Sequence, residues 1–404
     1  MRLRAWALLS VLALPVVAAQ PDIGQILAEL SDISGLAAPA HVHCDRIPRD
    51  RLREFLERRV HEEVKPQEIE AEEAALKKLG LAPPDFDLRK TTIDLLTEQA
   101  AAFYDFHKKR LFVVDPLEGE EEFTLVHELA HALADRHFHL EKYISHARDN
   151  DDSALARTAV MEGQAVWLTG EYEARQSGRS LKNSPELVAR ISAENGAGTV
   201  FDRTPRYFQK TLVFPYTGGF LFQQAVVEKM GQAAFVEVFR RPPENTQQIL
   251  HPEKYFAHAA SVRPQLPALP AERAYRAYTD GELGELDHSI LFSQYAGAEA
   301  AATVTPEWRG GYFRLFAPKH GPRDWRRMAL AYASVWRGPA PARRAFELYE
   351  KVLAGKWKSF QVTSRSATAL AGRGDDGYFL VRLDGARLTS LEGLPSSPGA
   401  ESAR

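Results

Sequence analysis

His127, Glu128 and His131 are the residues of this chain whose types and spacing could do chemistry. They stand in Phe123-Thr124-Leu125-Val126-His127-Glu128-Leu129-Ala130-His131-Ala132-Leu133-Ala134, a run apolar almost all the way round. On a helix, residues four apart lie one above the other. The two imidazoles can therefore point at one ion. Glu128 sits about 100° further round, beside that ion rather than on it. Two neutral nitrogen ligands and a carboxylate within reach of a metal-bound water are what a zinc hydrolase needs. Three ionisable groups on a buried helix are costly unless paired, and a metal ion is the simplest partner.

A catalytic zinc takes three protein ligands and keeps a position for water, so a third ligand is required. Glu162 is the first choice. It lies in Met161-Glu162-Gly163-Gln164-Ala165-Val166-Trp167, where a carboxylate among apolar neighbours either faces water or has a partner. Asp135, four residues after His131, is the rival; it reads as a residue orienting a ligand histidine or as a solvated helix end. His41-Val42-His43-Cys44 also offers ligand types, but reads as a loop or edge strand.

The surrounding pattern supplies the elements that must hold these groups. Residues 95–114 predict a β-hairpin with a polar turn at 105–109, running directly into the motif helix. Acidic residues at 120–122 suit the positive end of that helix. Asp149-Asn150-Asp151-Asp152-Ser153 opens a second helix over 154–173, which carries Glu162. Segments 22–38, 48–63 and 66–79 are helix-prone, 178–210 are mixed and loop-rich, and Phe214 opens an apolar helix to Met230. A Pro-rich stretch at 264–270 precedes a change of character near Tyr278. Beyond it the pattern is helix, two strands, helix, two strands. The expected fold class is α+β, with a metal-binding domain over 20–277, a separate C-terminal α+β domain over 278–392 and a loose tail at 393–404.

Met1-Arg2-Leu3-Arg4, an apolar run to Val17 and then Ala18-Ala19 read as a signal peptide cleaved after Ala19. The expected protein is thus exported, periplasmic or extracellular. The formal net charge of −3 becomes more negative without Arg2 and Arg4, which argues against a nucleic-acid partner. Cys44 is the only cysteine, so no intramolecular disulfide forms. No later apolar run approaches the length of a membrane span.

His127-Glu128-Leu129-Ala130-His131-Ala132-Leu133-Ala134-Asp135-Arg136-His137-Phe138 resembles the helix of zincin-type metallopeptidases. It is especially similar to a group of largely uncharacterised exported bacterial proteins whose motif reads H-E-L-x-H-A-L-x-D-Q-H-F; Arg136 stands where glutamine is expected. Tyr104-Asp105, Met161-Glu162-Gly163, Phe214-Pro215-Tyr216-Thr217-Gly218-Gly219 and the segment from Thr246 to Tyr255 resemble the same group. Zincins of the glutamate-ligand branch take their third ligand from a downstream helix, which implies Glu162 here; their further carboxylate four residues on is Val166 in this chain. The resemblance implies a zincin-like fold and zinc-dependent hydrolysis of a protein or peptide substrate, with Zn2+ on His127, His131 and Glu162. Glu128 would be general base and then acid. Tyr216 and His251, in two of the resembling segments, are candidate oxyanion donors. The competing readings are a zinc-binding scaffold without turnover and a metal hydrolase of a non-peptide amide.

Overall fold

The computed structural model describes residues 22–115, 121–147, 149–193, 198–270, 272–322 and 324–397. The expected signal peptide, 1–19, and the end of the expected tail, 398–404, lie outside the described residues. The chain opens with α1 (Ile23–Ser34), capped by the Asp22 carboxylate and closed by Gly35 in the left-handed region. Its Ile26, Leu27, Leu30 and Ile33 recur at helical spacing and are buried. β1 (His43–Pro48), α2 (Arg49–Glu63), α3 (Pro66–Leu79) and α4 (Leu88–Gln99) follow.

β2 (Ala102–Asp105) and β3 (Arg110–Asp115) form the hairpin ahead of the motif helix, and β1 pairs parallel with β3 in the order β1-β3-β2. Asp105 Oδ1 closes the turn by accepting from the amides of His107 (3.0 Å) and Lys108 (2.9 Å). The hairpin is shorter than the sequence predicts. Residues 95–99 complete α4 instead, a helix that starts from the Asp87 cap and buries Leu95, Leu96 and Gln99. His43 and Cys44 lie on β1, an edge strand as expected.

α5 (Glu121–Phe138) carries the motif, with α6 (Leu140–Ser145) after it. α7 (Asp151–Gln176) starts where predicted, with the Asn150 side chain accepting from the Ser153 amide. Two short helices, α8 (Pro185–Ser192) and α9 (Thr199–Arg203), lead to α10 (Arg206–Met230). The sequence predicts this last helix to open at Phe214; it opens at Arg206 and passes through Pro215. Proline offers no amide hydrogen and normally interrupts a helix; here packing on α7 carries the helix across it. α11 (Ala234–Arg240), α12 (Thr246–Leu250) and α13 (Pro252–Phe256) complete the helical part.

The rest comprises β4 (Tyr275–Glu282), α14 (Glu285–Ala296), α15 (Ala298–Ala302), β5 (Trp308–Pro318), β6 (Ala329–Trp336), α16 (Pro339–Lys356), β7 (Gln361–Arg365), β8 (Ala369–Gly374), β9 (Gly377–Asp384) and β10 (Arg387–Leu394). The strands form one antiparallel sheet in the order β4-β5-β6-β10-β9-β8-β7. The fold is therefore α+β with a C-terminal sheet. The Pro-rich stretch lays Leu266 and Leu269 against Tyr275, Phe316 and Leu391 of that sheet. β4, β8 and β10 are missing from the sequence reading, and β10 takes up the first two residues of the expected tail. Among the described residues no helix is long and apolar enough to cross a membrane.

The predicted boundary after residue 277 falls inside β4. The apolar core runs on across it, joining Leu76, Phe220, Phe292, Trp336 and Leu353 in one cluster. A buried ion pair bridges the same divide. Lys78 Nζ of α3 lies 3.0 Å from Asp376 Oδ2 in the β8–β9 turn, with side chains 0% and 7% exposed. Burial pulls the Lys78 pKa down and Asp376 opposes it. Removing one member of such a pair leaves a buried charge unanswered, at a cost of roughly 3–5 kcal/mol. Asp376→Ala is expected to lower the urea unfolding free energy by roughly that amount. The double change Lys78→Met with Asp376→Leu should recover most of the loss. Equal losses in the two variants would show that the charge pair is not what holds this seam.

Candidate metal centre

α5 and α7 lie side by side and set Glu162 against the two motif histidines. His127 Nε2 is 3.1 Å from Glu162 Oε2 and 3.1 Å from His131 Nε2, and His131 Nε2 is 3.4 Å from Glu162 Oε2. All three side chains are buried, with relative exposures of 2% (His127), 6% (His131) and 1% (Glu162). This trio could hold a metal ion, and among the described residues no other group of three or more His, Cys, Asp or Glu does so. His41, His43 and Cys44 form no such group.

Burial alone would lower the His131 pKa and raise that of Glu162. Their facing charges reverse both. Glu162, with Glu128 and Asp135 behind it, leaves the His131 imidazole above its ordinary value. His131 and His127 together bring the Glu162 carboxyl down to about 2. One atom is left over: Glu162 Oε1 is buried and has no hydrogen-bond partner among the described residues. A buried acceptor in that state costs about 1–3 kcal/mol, more when charged. A cation held by this trio would satisfy both imidazole nitrogens and Glu162 Oε2, and would answer Oε1 as well if the carboxylate bound through both oxygens.

Glycines let α7 and α10 approach closely enough to hold this arrangement. A Cβ on Gly163 would stand 2.1 Å from the Gly219 carbonyl carbon, and one on Gly219 would stand 2.0 Å from the Ala159 oxygen. Gly163 follows Glu162 directly, and Gly219 lies one turn after Tyr216. The contact therefore sets the depth of both side chains. The Tyr216 ring stacks on that of His127, with centroids 6.1 Å apart and planes 27° from parallel.

Glu128 and Asp135, seven residues apart, share the face of α5 turned toward β2. Tyr104 serves both: its backbone amide donates to Glu128 Oε2 at 2.6 Å and its hydroxyl to Asp135 Oδ2 at 3.1 Å. Burial and the neighbouring Asp135 raise the Tyr104 pKa, so the phenol stays protonated as a donor. Asp135 Oδ1 accepts the Leu140 amide at 2.8 Å, which starts α6. Asp135 thus lies outside the trio and, at 2% exposure, is not a solvated helix end. Its hydrogen bonds go to β2 and α6 rather than to a ligand histidine, though its charge still acts on His131. The sequence gives no sign of the Tyr104 amide's part, beyond the strand that leads into the motif helix.

Of the two expected oxyanion donors, only Tyr216 comes to the histidines. His251 meets Glu285 instead, Nε2 to Oε1 at 2.7 Å, and Gln247 Nε2 donates to the other oxygen of that carboxylate at 2.6 Å. No family model, curated protein or solved structure matches this chain. The reading of the centre rests on its own geometry.

The glycine contact yields a direct test. In Gly219→Ala the new methyl meets backbone atoms, which cannot turn aside. The expected result is a stability loss of roughly 1–3 kcal/mol or more, together with less bound metal as Glu162 is displaced. Gly338→Ala, with open space around the added methyl, should change neither. A Gly219→Ala protein with wild-type stability and metal content would contradict this account of how Glu162 is set.

Proposed function

We propose that this chain is an exported zinc-dependent metallopeptidase of zincin-like architecture, hydrolysing peptide bonds in a protein or peptide substrate. The observation that carries the reading is the buried trio His127 Nε2, His131 Nε2 and Glu162 Oε2, three donor atoms 3.1–3.4 Å apart. A tetrahedral zinc ion with bonds near 2.1 Å sets its ligand atoms about 3.4 Å apart. The three separations here, 3.1, 3.1 and 3.4 Å, fit that size before any ion is added. Two imidazoles and one carboxylate are also a donor set that catalytic zinc uses, with one position left for water. The strand pair ahead of the motif helix and the glutamate on the next long helix support the zincin-like part. The apolar leader supports export.

When bound, zinc supplies Lewis acidity and an acidified water. The chain's own residues do the rest. Glu128 is a buried carboxylate in excess of the ligand set, and a purely structural site has no use for it. The Tyr104 amide holds its Oε2 at 2.6 Å, so the group is oriented before substrate arrives. Glu128 accepts the proton released as the peptide carbonyl is attacked, and returns one to the leaving amine. Tyr216 supplies a phenol donor for the charge that develops on the carbonyl oxygen.

Glu128→Gln is expected to keep zinc at the wild-type level while hydrolysis of a denatured-protein or peptide panel falls at least about 100-fold. Zinc-loaded wild type that cleaves no member of such a panel would replace this reading with a zinc-holding scaffold, or with an amide hydrolase if only non-peptide amides are cut. The ligands are tested by metal analysis. Glu162→Ala should lose most of its zinc, and Asp135→Ala should weaken binding by no more than roughly 10–100-fold. The reverse order would remove Glu162 from the ligand set.

A further inference from the structure

We propose a second ligand site, lined by none of the metal-centre residues, that takes an aromatic carboxylate: a flat apolar ring carrying one carboxyl group. A cavity of about 460 Å³ opens between the α3–α4 turn, the start of α10, α14, the end of α16 and the β8–β9 turn. That volume is in the range of small-molecule sites.

The cavity's frame is fixed by hydrogen bonds between its walls. Gly80, in the left-handed region at φ 85°, turns the chain after α3. Its carbonyl accepts from the Tyr295 hydroxyl at 2.7 Å and from Gln294 Nε2 at 3.1 Å. Lys356 Nζ reaches the Lys78 carbonyl at 2.9 Å and Glu392 Oε2 at 2.5 Å. Trp357 is backed by the Phe379 ring at 5.4 Å. These contacts tie α3, α14, α16 and the sheet together, so the walls are set in advance of any ligand.

Charge defines one end of the ligand. Lys77 is answered by Glu73 at 2.6 Å, Lys356 by Glu392, and Asp376 by Lys78 at 3.0 Å. Arg203 and Arg206 also line the cavity, are exposed, and meet no carboxylate among the described residues. Two unanswered guanidiniums at one rim suit a carboxylate, whose oxygens match the arginine fork. The aromatic walls define the other end. Trp325 and Tyr295 are half-buried and Trp357 is buried, and indole faces favour a flat ring. A bare inorganic anion would leave the half-buried Trp325 and Tyr295 rings uncovered, and an uncharged ring would leave the arginines unanswered. A ligand with both features fits the whole lining.

The test is calorimetric titration of the full-length protein with N-acetylphenylalanine. Binding is expected in wild type, and at least about tenfold weaker in Arg203→Ala/Arg206→Ala and in Trp325→Ala. N-acetylphenylalanine amide, which lacks the carboxylate, should bind wild type at least about tenfold more weakly than the acid. Glu162→Ala should bind the acid as wild type does, which separates this site from carboxylate binding at the metal centre. No binding of the acid to wild type, or binding lost only in Glu162→Ala, would overturn the proposal. So would inorganic phosphate that binds as tightly, with the same arginine dependence and none on Trp325. Failure of the peptidase reading leaves all of these titrations unchanged.

Discussion

A buried carboxylate facing two buried imidazoles is the contact on which the rest of this structure depends. Each of these groups is costly to remove from water alone. Set within 3.1–3.4 Å of one another, they offset each other's desolvation and pull each other's pKa values back toward the charged forms. The remaining cost is one carboxylate oxygen, Oε1, with nothing to bond, which a cation would remove if held through both carboxylate oxygens. Every large element near the centre can be read as serving that contact.

α5 divides its faces accordingly. His127 and His131 turn to α7, Glu128 and Asp135 turn to β2, and Leu129 and Leu133 fill the core. α7 brings Glu162 in only because glycine at 163 and 219 lets α10 lie against it. The start of α7 is braced from β4 and from α12. Asn150 Nδ2 donates to Glu282 at 2.7 Å, and Asp152 Oδ1 accepts from the Thr246 hydroxyl at 2.6 Å. Gly284 leaves the room Asp152 needs, since a Cβ there would stand 1.9 Å from its carboxylate. The C-terminal sheet thus acts on the metal centre at one remove, through the helix that carries Glu162.

What was legible in the sequence is local in origin. The motif helix, the hairpin and the second helix follow from spacing and caps within a few residues, and the trio His127, His131 and Glu162 is brought together as those cues suggest. What was not legible is tertiary. Pro215 marks a break that packing on α7 overrides, so α10 begins eight residues before the expected Phe214. Asp135 looks like a helix-end residue until Tyr104 and Leu140 arrive to bond it. His251 belongs to Glu285, a partner 34 residues away. β10 was not anticipated, and its polar Ser390 and Glu392 are fully buried, with Tyr349 and Lys356 answering Glu392. In each case a polar or helix-breaking residue takes its meaning from a distant partner.

The central claim is that these three residues hold one catalytic zinc ion. Crystals of the zinc-loaded protein, measured on both sides of the zinc absorption edge, test it most directly. The account predicts one anomalous peak per chain at this site, with His127 Nε2, His131 Nε2 and a Glu162 oxygen at about 2.0–2.2 Å and no fourth protein ligand. An absent peak, or a zinc ion bound by Asp135 or by a set without Glu162, would contradict it.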